Sequence, residues 1–165
     1  MKSRLMIAAA MLLVSVSMAD EVHPEKPGHL GGYIAVGDSP EYLKGWVRAG
    51  SPTVPLARIF HVGDTAYIGF ILTGILPDAA GQANVTVDIL IARPDGSVLF
   101  EKKAYAKIAR LVPKETGFEI ADPALDLTFD SADLPGTYSV VAAFHDKVSK
   151  TGALCEARIE LLKKS

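Results

Sequence analysis

Asn84-Val85-Thr86-Val87-Asp88-Ile89-Leu90-Ile91-Ala92-Arg93-Pro94-Asp95-Gly96-Ser97-Val98-Leu99-Phe100 decides the fold class. Val85, Val87, Ile89 and Ile91 recur at every second position, with Asn84, Thr86, Asp88 and Leu90 between them. A period of two puts the first set on one face of a β-strand, the face that a core would cover. Pro94-Asp95-Gly96 then supplies a fixed φ, an acceptor for the following amides and a residue free to take positive φ, so the chain turns back into Val98 and Phe100 as a hairpin.

The same period spreads outward from this hairpin. Ala66, Ile68, Phe70 and Leu72 alternate with Thr65, Tyr67, Gly69 and Ile71 upstream. Downstream, Leu125, Leu127 and Phe129 form one set, Tyr138, Val140, Ala142 and Phe144 a second, and Cys155, Ala157, Ile159 and Leu161 a third. Val62-Gly63-Asp64, Leu134-Pro135-Gly136 and Lys150-Thr151-Gly152 punctuate them with turn residues. With Leu56 to His61 as an edge strand, the count reaches about seven, the number of an immunoglobulin or fibronectin III-like β-sandwich. Leu134-Pro135-Gly136-Thr137-Tyr138 resembles the tyrosine corner of such sandwiches, in which the phenol bonds back to the preceding loop. Residues 101 to 124 read as the less regular region: Glu101 to Ile108 can prolong the strand after the hairpin, while Pro113, Gly117 and Pro123 break the rest into loop, with a short strand at Phe118 to Ile120.

The N-terminal third follows other periods. Lys2 and Arg4, an apolar run from Leu5 to Val16 and Ser17-Met18-Ala19 read as a signal peptide cleaved before Asp20, with a periplasmic or secreted destination. That run is too short for a stable span of about 20 residues. Ser39 as N-cap, Pro40 at the first helical place and Gly50 beyond the end predict a short helix over 40–48, with Leu43, Trp46 and Val47 on one face. The expected division is a signal peptide (1–19), an extension carrying the helix (20–53) and a β-sandwich domain (54–165). Gly31 to Val36 adds a short strand to the extension.

Composition narrows the function classes. Cleavage takes two of the 17 basic residues and none of the 19 acidic ones, so the formal charge of −2 becomes −4. That balance offers nothing to nucleic acid or to an anionic membrane. Cys155 is the single cysteine, so no internal disulfide forms, and its alternating neighbours place it on a core-facing side as an inert thiol. No Gly-x-Ser-x-Gly elbow or cofactor fingerprint occurs, and His145-Asp146 reads as strand-end and turn chemistry, since adjacent strand residues point apart. Asp126 and Asp130 read as a solvated face.

Two surfaces remain. Tyr33, Tyr42, Trp46 and Tyr67 are the aromatics able to make a recognition surface, with docking of Trp46 into its own sandwich as the competing role. His23 and His29, with Glu21 or Glu25 nearby, are the candidate copper or zinc ligands, on a spacing interrupted by two prolines that defined metal sites do not use. The expectation is a non-enzymatic module without catalytic residue or cofactor that recognises a protein or a cell-envelope glycan; the alternative is a periplasmic copper or zinc handler.

Ser39-Pro40 with Trp46-Val47, the strand entry Ala57-Arg58-Ile59-Phe60-His61-Val62-Gly63-Asp64, and Val85-Thr86-Val87-Asp88 with Pro94-Asp95-Gly96 resemble a type of small secreted bacterial protein of unknown function. Val62-Gly63-Asp64, Pro94-Asp95-Gly96 and Pro135-Gly136-Thr137-Tyr138 are more loosely similar to the fibronectin-like modules of macroglobulins. Both resemblances imply a fold and carry no catalytic residue across.

Overall fold

The structure, a computed structural model, describes residues 25–41, 57–113 and 117–163. They form a mainly β protein of eight strands: β1 (Gly31–Gly37), β2 (Ile59–Phe60), β3 (Thr65–Thr73), β4 (Val85–Ala92), β5 (Val98–Ile108), β6 (Glu119–Thr128), β7 (Gly136–Asp146) and β8 (Gly152–Leu161). The strand order is β1-β3-β6-β5-β4-β7-β8-β2, antiparallel throughout except for β2, which runs parallel to β8.

The sheet curls because one side of it is almost continuously apolar. Val85, Val87, Ile89 and Ile91 of β4 are all buried, and they meet Phe144, Ala142 and Val140 of β7 in register. Ile68, Phe70 and Leu72 line the facing half of the core. Between them Phe60, Phe129 and Tyr138 stack tilted or edge to face, with centroids 5.9 and 5.2 Å apart, the favoured geometry of ring quadrupoles. Curling brings the two ends of the sheet together. The Ala57 amide donates to the Val36 carbonyl on β1, and the Arg58 carbonyl accepts from Glu160 on β8, so four residues bridge both edges.

Turn chemistry closes the hairpins where expected. The Gly96 amide donates to Arg93, the Ser97 amide to the Asp95 carboxylate, and Gly96 takes φ +82°. The Tyr138 phenol donates to the Leu134 carbonyl at 2.9 Å, the bond that the Leu134–Tyr138 stretch predicts.

The strand count exceeds the expected seven by one. Gly31–Gly37 is a full strand, paired with β3 along its whole length. Residues 119–128 form one strand despite Pro123, because pairing with β3 skips from Ile68–Leu125 to Phe70–Ala121 and leaves 122–124 bulged, where a missing amide hydrogen costs nothing. The predicted helix over 40–48 lies outside the described residues from 42 onward. Just before it the Glu41 amide donates to the Ser39 hydroxyl at 3.3 Å.

Cys155 alternates with exposed neighbours on β8 but is only half-buried, and its thiol donates to the Gly32 carbonyl at 2.6 Å. Burial pushes the thiol up to about 11. Only thiolate reacts with labelling reagents. Native labelling at pH 8 is therefore expected to run on the order of a hundredfold slower than in denaturant and to climb about tenfold per pH unit. Because the folded pKa is raised, the thiol's contribution to stability is complete below about pH 9 and is lost as pH rises toward 11. A labelling rate that levels off near pH 9 would contradict the placement.

Candidate recognition face

The outward half of each alternation builds a face on β5, β4, β7 and β8. Register sets Leu90 beside Val141, and Val141 beside Glu156; one row on, Asp88 lies beside Ala143, and Ala143 beside Leu154. Leu90, Val141, Ala143 and Leu154 thus form a continuous apolar band, in which Leu154 is 69% exposed. A shallow groove of about 110 Å³ opens at the β5 side, lined by Asp88, Leu90, Glu101, Lys103, Val141 and Ala143.

Fixed polar groups rim the band. His145 Nε2 lies 3.2 Å from Asp88 Oδ2, while Asp88 Oδ1 accepts the Ala104 amide at 2.7 Å. Ala104 holds φ +48° in the β5 bulge opposite Val87–Ile89, which turns that amide onto the carboxylate. At the far side Glu156 Oε1 accepts from Ser139 and Arg158 at 3.0 and 3.1 Å. Each acid has its orientation set by two partners, so the rim presents a fixed charge pattern. The chemistry on offer is hydrogen bonding, charge and apolar contact. Among the described residues no group of three His, Cys, Asp or Glu gathers that could hold a metal ion.

The structure distributes the sequence candidates differently. Tyr33 and Tyr67 stand on the outer side of β1 and β3, away from the groove; Tyr33 meets Phe118 edge to face at 6.5 Å, and burial, then the Glu25 carboxylate, raises its phenol pKa. Tyr42, Trp46 and His23 lie outside the described residues, and His29 is exposed in the turn where its amide donates to Lys26. Asp126 is exposed on β6, and Asp130 shapes a turn by accepting from Ala132. His145 and Asp146 part as expected, the first outward to Asp88 and the second into the interior. Sequence reasoning missed Asp88 as the histidine's partner. The available signal was its place on the polar half of β4, but only register brings it to a residue 57 positions away.

No family model and no curated protein matches this chain. Among solved structures, a family 123 glycoside hydrolase from Clostridium perfringens, studied for glycolipid glycan hydrolysis, is similar at TM-score 0.47 and 11% identity. The match covers 82% of this chain and 28% of the hydrolase. A CARDB domain from Pyrococcus furiosus, solved in complex with di-metal ions, is similar at TM-score 0.43 and 11% identity over 88% of this chain and 100% of the domain. Similarity at this level assigns no role to any residue here.

Proposed function

We propose that this chain is a non-enzymatic binding module working outside the cytoplasm, an immunoglobulin or fibronectin III-like sandwich that recognises a protein through the outer face of β5-β4-β7-β8. Grouping supports the sandwich reading: β1-β3-β6 and β5-β4-β7-β8 are each extensively paired, whereas β5 and β6 share the single pair Lys107–Asp122. The Tyr138–Leu134 bond supports it too.

The observation that carries the functional reading is the Leu90-Val141-Ala143-Leu154 band between two oriented acid clusters. An exposed Leu at the end of an apolar path that runs diagonally over three strands, with acids on either side, is the composition of an interface centre with a polar rim. A protein suits it better than a glycan, because sugar rings are gripped by stacked aromatic side chains and this band is aliphatic.

Leu154→Glu is the test. Its side chain stands in solvent, so the melting midpoint stays within about 2 °C of the wild type. Affinity for a partner captured from the envelope fraction falls by 30-fold or more, as for a central interface residue of about 2 kcal/mol. Capture that ignores Leu154→Glu overturns the face; binding on a glycan array that survives it moves the reading to glycans; turnover of a substrate by pure protein ends the non-enzymatic reading.

A further inference from the structure

β8 is fully paired on one side only. It runs against β7 along its whole length without a bulge, from Gly136–Leu161 to His145–Gly152. On its other side β2 pairs with Glu160 and Leu161 alone; there the Glu160 amide donates to the Arg58 carbonyl and the Leu162 amide to that of Phe60. Backbone groups alternate in direction along a strand, so Leu154, Glu156 and Arg158 aim their amides and carbonyls to the same side as Glu160. Among the described residues no strand pairs with them there.

Burial along β8 follows the same division. In its core-facing row Ile159 and Leu161, beside β2, are fully buried, whereas Ala153, Cys155 and Ala157, beyond its reach, are half-buried. An open edge templates pairing with another chain, and proteins ordinarily blunt it with a short strand, proline, lysine or a bulge. β8 is 10 residues long and has no proline, lysine or bulge.

We propose that the free edge of β8 pairs antiparallel with β8 of a second copy, about a two-fold axis through Cys155. That register uses the whole edge from 152 to 158: Gly152 faces Arg158, Ala153 faces Ala157 and Leu154 faces Glu156 of the second copy. Its neighbours are worse. Centring on Glu156 sets two carboxylates directly opposite, which destabilises a pair of strands. Centring on Ala157 drives Leu154 against Glu160, whose amide Arg58 already takes. Centring on Leu154 brings the turn residue Lys150, at φ +60°, opposite Arg158. In the Cys155 register only alanine and cysteine meet on the core side, small enough for the approach of about 4.5 Å between non-hydrogen-bonded pairs. On the outer side the two Leu154 side chains lie diagonally across the axis, so the apolar bands of both copies join. The pairing stands on the edge itself and does not depend on the recognition reading above.

Sedimentation equilibrium of the purified chain starting at Asp20 tests this. The expected result is a reversible monomer–dimer equilibrium with a midpoint between about 1 μM and 1 mM, the range of a small interface. As the dimer fills, the Leu154, Glu156 and Arg158 amides exchange more slowly in the wild type. Leu154→Glu sets a carboxylate opposite Glu156 twice per dimer and weakens association about tenfold, while Leu154→Lys sets an ammonium there and does not weaken it. A chain that stays monomeric throughout that range overturns the pairing. So does a dimer whose three edge amides exchange as fast as the monomer's, or one that both charges weaken equally. Capture of an envelope partner is a separate readout: an apolar recognition face loses it with either charge, including in the dimer that Leu154→Lys leaves intact.

Discussion

Tyr138→Ala is expected to lower the unfolding free energy by about 4 kcal/mol, the largest single effect proposed for this chain. The ring is fully buried and packs edge to face on Phe129, so truncation removes apolar contact and leaves a cavity in the aromatic centre of the core. It also frees the Leu134 carbonyl. For a domain of this size the melting midpoint falls by about 12 °C. Tyr138→Phe separates the two contributions, since it keeps the ring and loses only the hydrogen bond, at about 1 kcal/mol. The phenol pKa is raised by burial first and by Asp133 second. A raised folded value means that the Tyr138 contribution is intact below about pH 10 and is lost as pH rises beyond it. Tyr138→Phe therefore shows a shallower loss of stability above pH 10. Urea titrations of the three proteins at pH 7 and pH 10.5 check this, and a cost below about 2 kcal/mol for Tyr138→Ala would contradict the packing.

Asp146→Ala is expected to cost about 3 kcal/mol. Asp146 is 2% exposed, and its carboxylate accepts the Leu76 amide at 3.0 Å through one oxygen and the Val148 and Ser149 amides at 2.9 and 3.4 Å through the other. Alanine leaves these donors without their acceptor inside the protein, and each buried unmade bond carries a penalty of about 1–3 kcal/mol. Asp146→Asn keeps one acceptor oxygen and turns its amide against the remaining donor, so about half the loss is expected. Leu76 stands 70 residues upstream, so the carboxylate ties the β3–β4 connection to the β7–β8 turn. Native-state hydrogen exchange reads the tie directly: in Asp146→Ala the Leu76 and Val148 amides exchange faster by tenfold or more, while those of β4 change only with global stability. Equal acceleration at every amide would reduce Asp146 to an ordinary buried residue.

How much of this was legible beforehand depends on whether the information is local. Val85, Val87, Ile89 and Ile91 announce a strand with one buried side because side-chain direction alternates with every residue. Pro94-Asp95-Gly96 announces its hairpin because the turn is made by the backbone preferences of those three residues. Tyr138 reaches a carbonyl only four positions back, so a motif could foretell that bond. Burial of Cys155 was legible as a direction but not in degree. Alternation says which way a side chain points, whereas its half-buried state depends on how closely β1 approaches β8.

Tertiary structure alone decided the remainder. Asp88 meets His145, and Leu90, Val141, Ala143 and Leu154 become one band, through cross-strand register. A slip of one residue would send every one of these side chains to the other face. Pro123 reads as a breaker in one dimension yet sits within β6, because the bulge against β3 removes the partner that its amide would have served. The curl that lets Ala57–Phe60 join β1 to β8 comes from covering one apolar face of the whole sheet, a property of no single segment. Strand positions, turns and facing directions were thus written in neighbouring residues. The outer apolar band on β4, β7 and β8 arises from pairings between distant strands, which the summed burial of the core selects.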